Sequence, residues 1–386
     1  MKITALKPIL AAYAHRNIFL VKIETDAGIH GWGEGGISGR ELGMAGIVES
    51  FKPALIGEDP LRIDHLWQVM FRGGFFESGT VMSGAISAVD LALWDIYGKA
   101  LNVPCWQLLG GRSRDRVECY TWANLEIAKQ RVDEGWRALR LEARPAVRKN
   151  PDADYLSSAA QKEGDVFDTD DAVRGSVAAM LKARELLGDE IKLCIDFHTR
   201  FNPPAAAQAC DGIAPMRPFF IEDPLRSPSP KSYVAFRKRT NVPLAVGEEC
   251  SSKWEFQQLI EEDAIDYARI DICNVGGFTE SQKVAAMAET HYIDVVPHNP
   301  LGPLSTAACL HLSVALPNFS IMEYGLGPDL SPDLFKPSFK FKAPHYEIPS
   351  APGIGVDVDE SRLAAHPFKP WTTTRFRKPD GSFTNW

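Results

Sequence analysis

The sequence predicts an α/β chain built on a parallel (β/α) barrel of the TIM type, with a further domain beside it. Three observations lead there. Six short apolar runs end in polar residues, Asp196, Glu222, Glu248, Asp271, His298 and Glu323, and the ends recur roughly every 25 residues. That interval is about one strand, one helix and two loops. Segments with helical periodicity fill the intervals, and 386 residues exceed the ~250 that a barrel alone requires. A parallel barrel brings every strand's C-terminal end to one rim, so the six side chains are expected to converge there.

Taken in order, residues 1–33 carry strand-like stretches, ITALKPIL and FLVKIETDAGIHGWGE, with a hairpin turn at Asp26-Ala27-Gly28. The Gly-rich loop 33–40 has no Gly-Lys-Ser/Thr and is not a phosphate loop. Helical spacing dominates 41–110, interrupted by a second Gly-rich loop at 71–80. A linker at 110–115 leads into the barrel, whose first two strands are VECYTW (117–122) and RALRLEA (137–143). Six further strands end at the rim residues, making eight. Helices are expected over 170–187, 230–239, 252–263 and 279–291. The last opens with a capping-box pattern, Thr279 and Gln282. The polar stretch 144–169 is long for a connection inside a compact domain and reads as a functional loop on the catalytic rim. The tail from about 340 lacks the barrel rhythm and is expected to pack back on the N-terminal domain. The division is therefore 1–115, 116–340 and 341–386.

The composition is 45% apolar and 24% charged with a net charge of -8, the profile of a globular chain with a sizeable core. A negative balance argues against nucleic-acid partners, which call for clustered Lys and Arg. No apolar run is long enough for a membrane span, and the N-terminus lacks a cleavage signature. Seven cysteines form no CxxC pair and no regular framework, which points to buried thiols in a reducing cytoplasm. Cys250 and Cys273 fall near the expected rim.

Asp196, Glu222 and Glu248 end consecutive strands. Three like charges at close range repel strongly unless a cation sits among them. One Asp and two Glu form an all-oxygen set suited to Mg²⁺, whereas zinc recruits His or Cys. Pairing with Arg200, Arg226 or Lys253 is the bland alternative. Asp271 and His298 end the next two strands. A carboxylate on one imidazole nitrogen fixes the tautomer and raises the basicity of the other, making His298 the candidate general base. Glu323 is either held protonated to donate to a developing oxyanion or engaged in a plain rim salt bridge. His198 lies two residues beyond Asp196. It points at the same site if extended geometry persists, where it would serve as general acid; otherwise it is a surface histidine.

The stretches IDFHTR, FIEDP, AVGEE, DICNVGG, VPHNPLGPLSTAACLH and IMEYG resemble the enolase superfamily in its mandelate-racemase subgroup. The resemblance runs the length of the chain. It implies a modified (β/α)7β barrel, an α+β capping domain made from both terminal segments, and a symmetric homo-oligomer. It also implies chemistry in which Mg²⁺ stabilises an enediolate formed by removing the proton α to a substrate carboxylate. Asp196-Phe197-His198 together with Asp271 and His298 is most similar to the D-galactonate dehydratases. That similarity implies that His298 takes the α-proton, His198 assists loss of the β-hydroxyl and Glu323 stabilises the enediolate. The second strand reads Arg140-Leu141-Glu142 where racemases of the subgroup carry Lys-x-Lys. Arg140, Tyr155 in the long loop, and the tail PGIGVDVDE…DGSFTNW resemble D-mannonate dehydratases, which generally lack the Asp271/His298 pair.

The expected function is Mg²⁺-dependent dehydration of a small carboxylate, an acid sugar, to a 2-keto-3-deoxy acid. The alternatives are an isomerase of the same superfamily, with Arg140 or a loop tyrosine as second base, a mannonate- or gluconate-type dehydratase, and a non-catalytic binding barrel.

Overall fold

The computed structural model describes residues 1–14, 16–77, 79–142, 146–148, 166–226, 229–325, 333–370 and 376–384. These divide into two compact units. The first comprises residues 1–119, 247–257 and 268–370, and the second residues 120–246, 258–267 and 371–386. Tyr155 and most of the 144–169 segment lie outside the described residues.

In the first unit the expected hairpin is a three-stranded antiparallel sheet of Ile3–Tyr13, Arg16–Thr25 and His30–Gly35. The Asp26-Ala27-Gly28 turn joins the second strand to the third, with Gly28 at φ 76°. Helix Thr80–Leu101 packs on this sheet. Two glycines let it come close. A Cβ on Gly31 would meet the Ala92 carbonyl at 2.0 Å, and one on Gly33 the Ala88 carbonyl at 1.9 Å. Asp95 on that helix is fully buried. It accepts from Trp32 N at 2.9 Å and Ile354 N at 2.8 Å and pairs with Lys99 at 2.7 Å. A buried carboxylate satisfied in this way ties the sheet to the 350s. The backbone of Ala12 donates to the His366 carbonyl, and Asn17 Nδ2 to that of Lys369.

The same unit holds three short parallel segments. Val296 N donates to Ala268 O, His298 N to Ile270 O and Ser320 N to Val295 O. They set Asp271, His298 and Glu323 at successive tips. Helix Gly277–Glu289 follows the first tip and departs from expectation at its start. Gly276 and Gly277, at φ 114° and 75°, turn the chain so that Gly276 is the N-cap. Thr279 then sits inside the first turn, where its hydroxyl donates to Asp90 at 2.9 Å rather than closing a capping box.

The second unit is a parallel sheet in chain order. Thr121 pairs with Leu139, Leu139 with Leu193, Ile195 with Ile221 and Leu244 with Ile221. Leu193–Ile195 and Phe220–Ile221 are apolar and buried up to the acids that end their strands, as parallel strands covered on both faces must be. Helix Thr169–Leu187 begins where Asp168 accepts from Asp171 N at 3.0 Å, and Pro203–Ile213 where Asn202 accepts from Ala205 N at 3.0 Å.

Candidate active site

In the second unit the register places Glu142, Asp196 and Glu222 in one row across three strand ends. Asp196 and Glu222 are buried, at 6% and 0% exposure. Arg140, from the neighbouring strand, reaches both. Its Nη1 lies 3.3 Å and 3.5 Å from the two Glu222 oxygens and 3.7 Å from Asp196 Oδ2. Burial alone would raise the Asp196 pKa, but Arg140, His198 and Arg200 outweigh it and hold the carboxyl below its ordinary range.

His198 does not continue the strand. The chain turns at φ 48° for His198 and 58° for Thr199, a region that L-residues adopt at a cost. The extended backbone ends at Asp196, so strand alternation does not place the His198 ring, but the ring stays near enough to lower the Asp196 pKa. What the turn delivers is the His198 N–H, which donates to Asp196 Oδ1 at 2.7 Å.

In the first unit Glu248 follows Gly247, whose φ of 137° suits only glycine and whose Cβ would strike the Phe256 ring at 2.4 Å. Asp271 is buried, and its Oδ1 accepts from Cys273 N at 2.8 Å. Its Oδ2 lies 2.7 Å from His298 Nδ1. On the other side of the ring, His298 Nε2 lies 3.4 Å from Glu248 Oε2. The imidazole thus stands between its orienting carboxylate and a predicted metal ligand. Glu323 Oε2 accepts from Arg269 Nη2 at 2.9 Å and Asn299 N at 3.0 Å. These contacts give Glu323 a salt bridge to Arg269.

In the first unit, two residues that the strand rhythm does not mark also matter. Arg269 is fully buried, donates to Glu323 and to the Val296 and Pro297 carbonyls, and comes within 3.8 Å of Glu248. A charged residue inside Tyr-Ala-Arg-Ile-Asp was the available signal, since a cation in a strand needs a buried partner. Glu34 is the other. It is fully buried, and burial pushes its carboxyl up to about 7 against backbone donors that lower it.

Oxygen donors from buried carboxylates at strand ends are the ligands of a hard cation. An imidazole held by a carboxylate beside such a donor is the equipment of a proton-transfer enzyme. The class defined is a metal-assisted barrel enzyme acting on a carbon acid.

The matches to known proteins agree. Residues 4–110 match the mandelate racemase / muconate lactonizing enzyme N-terminal domain, and residues 124–362 the enolase C-terminal domain-like family. The chain belongs to this family, and its fold class is the TIM-type barrel with an α+β capping domain. A D-galactonate dehydratase from Variovorax paradoxus is 36% identical over the whole of both chains. One from Cronobacter sakazakii is 35% identical over 95% of this chain and 96% of its own. Among solved structures, an enolase from Pantoea ananatis with D-gluconate and Mg bound has a TM-score of 0.91 at 28% identity, covering 99% of each chain. An enolase from Agrobacterium radiobacter with sodium and L-malate bound has a TM-score of 0.87 at 31% identity, covering all of both.

Proposed function

We propose that this protein is a Mg²⁺-dependent acid-sugar dehydratase, a hydro-lyase acting on an aldonate of the D-galactonate type. The observation that carries the reading is the 2.7 Å pair of Asp271 and His298, with Glu248 on the far side of the ring. The two D-galactonate dehydratases matched along the full chain support it. Asp196, Glu222 and Glu248 are the proposed ligands, and Mg²⁺ bound there would supply a Lewis acid for the substrate carboxylate.

The chain's own residues do the rest. Asp271 holds the Nδ1–H tautomer of His298, leaving Nε2 to take the proton from the α-carbon. His198 gives a proton to the departing β-hydroxyl, so one water is lost and the enol product relaxes to a 2-keto-3-deoxy acid. Arg140 holds the Glu222 and Asp196 carboxylates in place, and Glu323 with Arg269 flanks the site of charge development. Tyr155 stays in the proposed catalytic set. An arginine bonded to two carboxylates stays protonated and serves poorly as the second base of a racemase. The proposed division remains 1–115 and 341–386 as the cap and 116–340 as the barrel, in a cytoplasmic homo-oligomer. Within the described residues no helix is long and apolar enough to cross a membrane.

The test is a panel of acid sugars assayed with Mg²⁺ and with EDTA, reading 2-keto acid as the semicarbazone. Metal-dependent product from an aldonate is the expected result. A substrate epimerised without 2-keto product would replace the lyase with an isomerase.

A further inference from the structure

The third strand of the N-terminal sheet, His30–Gly35, ends against the segments that follow both members of the proton-transfer pair. Glu34, with no exposed surface, accepts one backbone N–H on each oxygen, from Gly302 at 2.8 Å and from Ser305 at 2.9 Å. These donors begin helix Pro303–Ala315, which has no side-chain cap of its own. The orphan amides of a helix start need acceptors, and here they come from a strand 268 residues earlier.

That first turn is bonded to the site. Ser305 Oγ and Thr306 Oγ1 donate to Asn299 Oδ1 at 3.3 Å and 3.2 Å. Asn299 in turn donates to Glu323 through its backbone N–H at 3.0 Å and its amide at 3.2 Å. Cys309 Sγ, one turn further along, contacts the His298 carbonyl at 3.6 Å. Two residues past Glu34 the chain meets the segment that follows Asp271. Gly36 N donates to Cys273 O at 3.0 Å, and a Cβ on Gly36 would lie 2.3 Å from Asn274 Oδ1. Cys273 is the residue whose own N–H holds Asp271. A second glycine keeps the space open, since a Cβ on Gly302 would meet the Glu34 oxygens at 2.8 Å and 2.9 Å.

We propose that Glu34 is a positioning residue for catalysis, fixing the His298–Asn299 segment from the N-terminal sheet so that the imidazole stays aligned on Asp271 and Glu323 stays in place. The inference rests on the reading of His298 and Asp271 as the proton-transfer pair. Only a carboxylate serves, because a glutamine would turn its NH₂ toward one of the two N–H donors. Displacing a reacting group by about 1 Å costs roughly 10²-fold in rate.

The experiment compares wild type, Glu34→Gln and Glu34→Asp as Mg²⁺-loaded full chains. In Glu34→Gln, kcat should fall about 10²-fold with KM nearly unchanged, and α-proton exchange in deuterated water should fall in the same ratio. Glu34→Asp should recover part of the loss. Calorimetric Mg²⁺ affinity should match wild type, because Glu34 touches no proposed ligand. Should Glu34→Gln fail to fold, Gly302→Ala, which crowds the same oxygens, should give the same loss of kcat at constant KM. The low-field NMR signal of the His298 Nδ1 proton on Asp271 supplies a readout that needs no substrate. It should shift or broaden in Glu34→Gln and return in Glu34→Asp. If no acid sugar is dehydrated by the wild type, the functional reading falls while this signal still decides the positioning. A folded Glu34→Gln with wild-type kcat, or an unmoved Nδ1 signal, overturns the inference.

Discussion

Asp271 Oδ2 and His298 Nδ1 are 2.7 Å apart, and the other Asp271 oxygen is fixed by Cys273 N at 2.8 Å. With both oxygens engaged, the carboxylate cannot rotate, and the ring that it holds has one tautomer and one orientation. The pair converts an ordinary imidazole into a directed base.

Asp271→Asn keeps the shape but offers an amide that can stabilise the wrong tautomer. Turnover should fall by roughly 10⁴-fold, as for other tautomer-fixing carboxylates. The loss should appear in kcat and in α-proton exchange alike. Exchange at the wild-type rate would separate Asp271 from the proton transfer.

Arg140 lies within 3.7 Å of both Asp196 and Glu222, so its positive charge competes with any cation that these ligands bind. Replacing it with Gln removes that competition. Calorimetry should then show Mg²⁺ binding roughly tenfold tighter, a modest part of the Coulomb energy at these distances, while turnover declines because the carboxylates lose their anchor. Weaker metal binding in Arg140→Gln would mean that the guanidinium organises the ligands more than it repels the ion.

The rhythm of strand ends made much of this arrangement readable. Asp196, Glu222, Asp271, His298 and Glu323 all fall at or just beyond parallel segments, because an apolar run followed by a lone polar residue has one stable placement in such a sheet. His198 was harder to place. Its position depends on a left-handed turn at φ 48°, and nothing in Asp-Phe-His-Thr-Arg marks that turn. Glu34 and Arg269 stayed hidden for another reason. Their partners, Gly302 with Ser305 in one case and Glu323 in the other, lie 54 or more residues away in the chain. Local periodicity carries no information about such pairings.

Arg269 and Glu323 form a buried ion pair, the guanidinium without exposed surface and its Nη2 2.9 Å from Glu323 Oε2. Removing one member strands a charge in low dielectric, which typically costs about 3–5 kcal/mol. Arg269→Met should therefore destabilise more than the double variant Arg269→Met/Glu323→Gln. Denaturant midpoints of the four proteins in the cycle measure the coupling. Additive effects would show that the pair contributes nothing jointly.

His311 makes stability depend on pH. Its Nδ1 accepts from Trp106 N at 3.1 Å, and its Nε2 lies 3.1 Å from the Ile354 carbonyl, an arrangement that requires the neutral ring. Burial drives its pKa down from 6.5 to about 4, with the Ile354 carbonyl opposing. The unfolded chain therefore takes up a proton near pH 6.5 that the folded chain refuses until about pH 4. Stability from this group is complete above about 6.5 and drains away as pH falls toward 4, amounting to about 2 kcal/mol by pH 5. Glu34 acts in the opposite sense, because its raised carboxyl pKa makes folding cost more as pH climbs from 4.5 to about 7. His311→Gln can preserve one acceptor and one donor without titrating. Its Tm should fall less steeply than that of wild type between pH 6.5 and 5, while the part of the curve governed by Glu34 is unchanged. Parallel Tm curves for the two proteins across that interval would show that His311 carries no proton-linked stability.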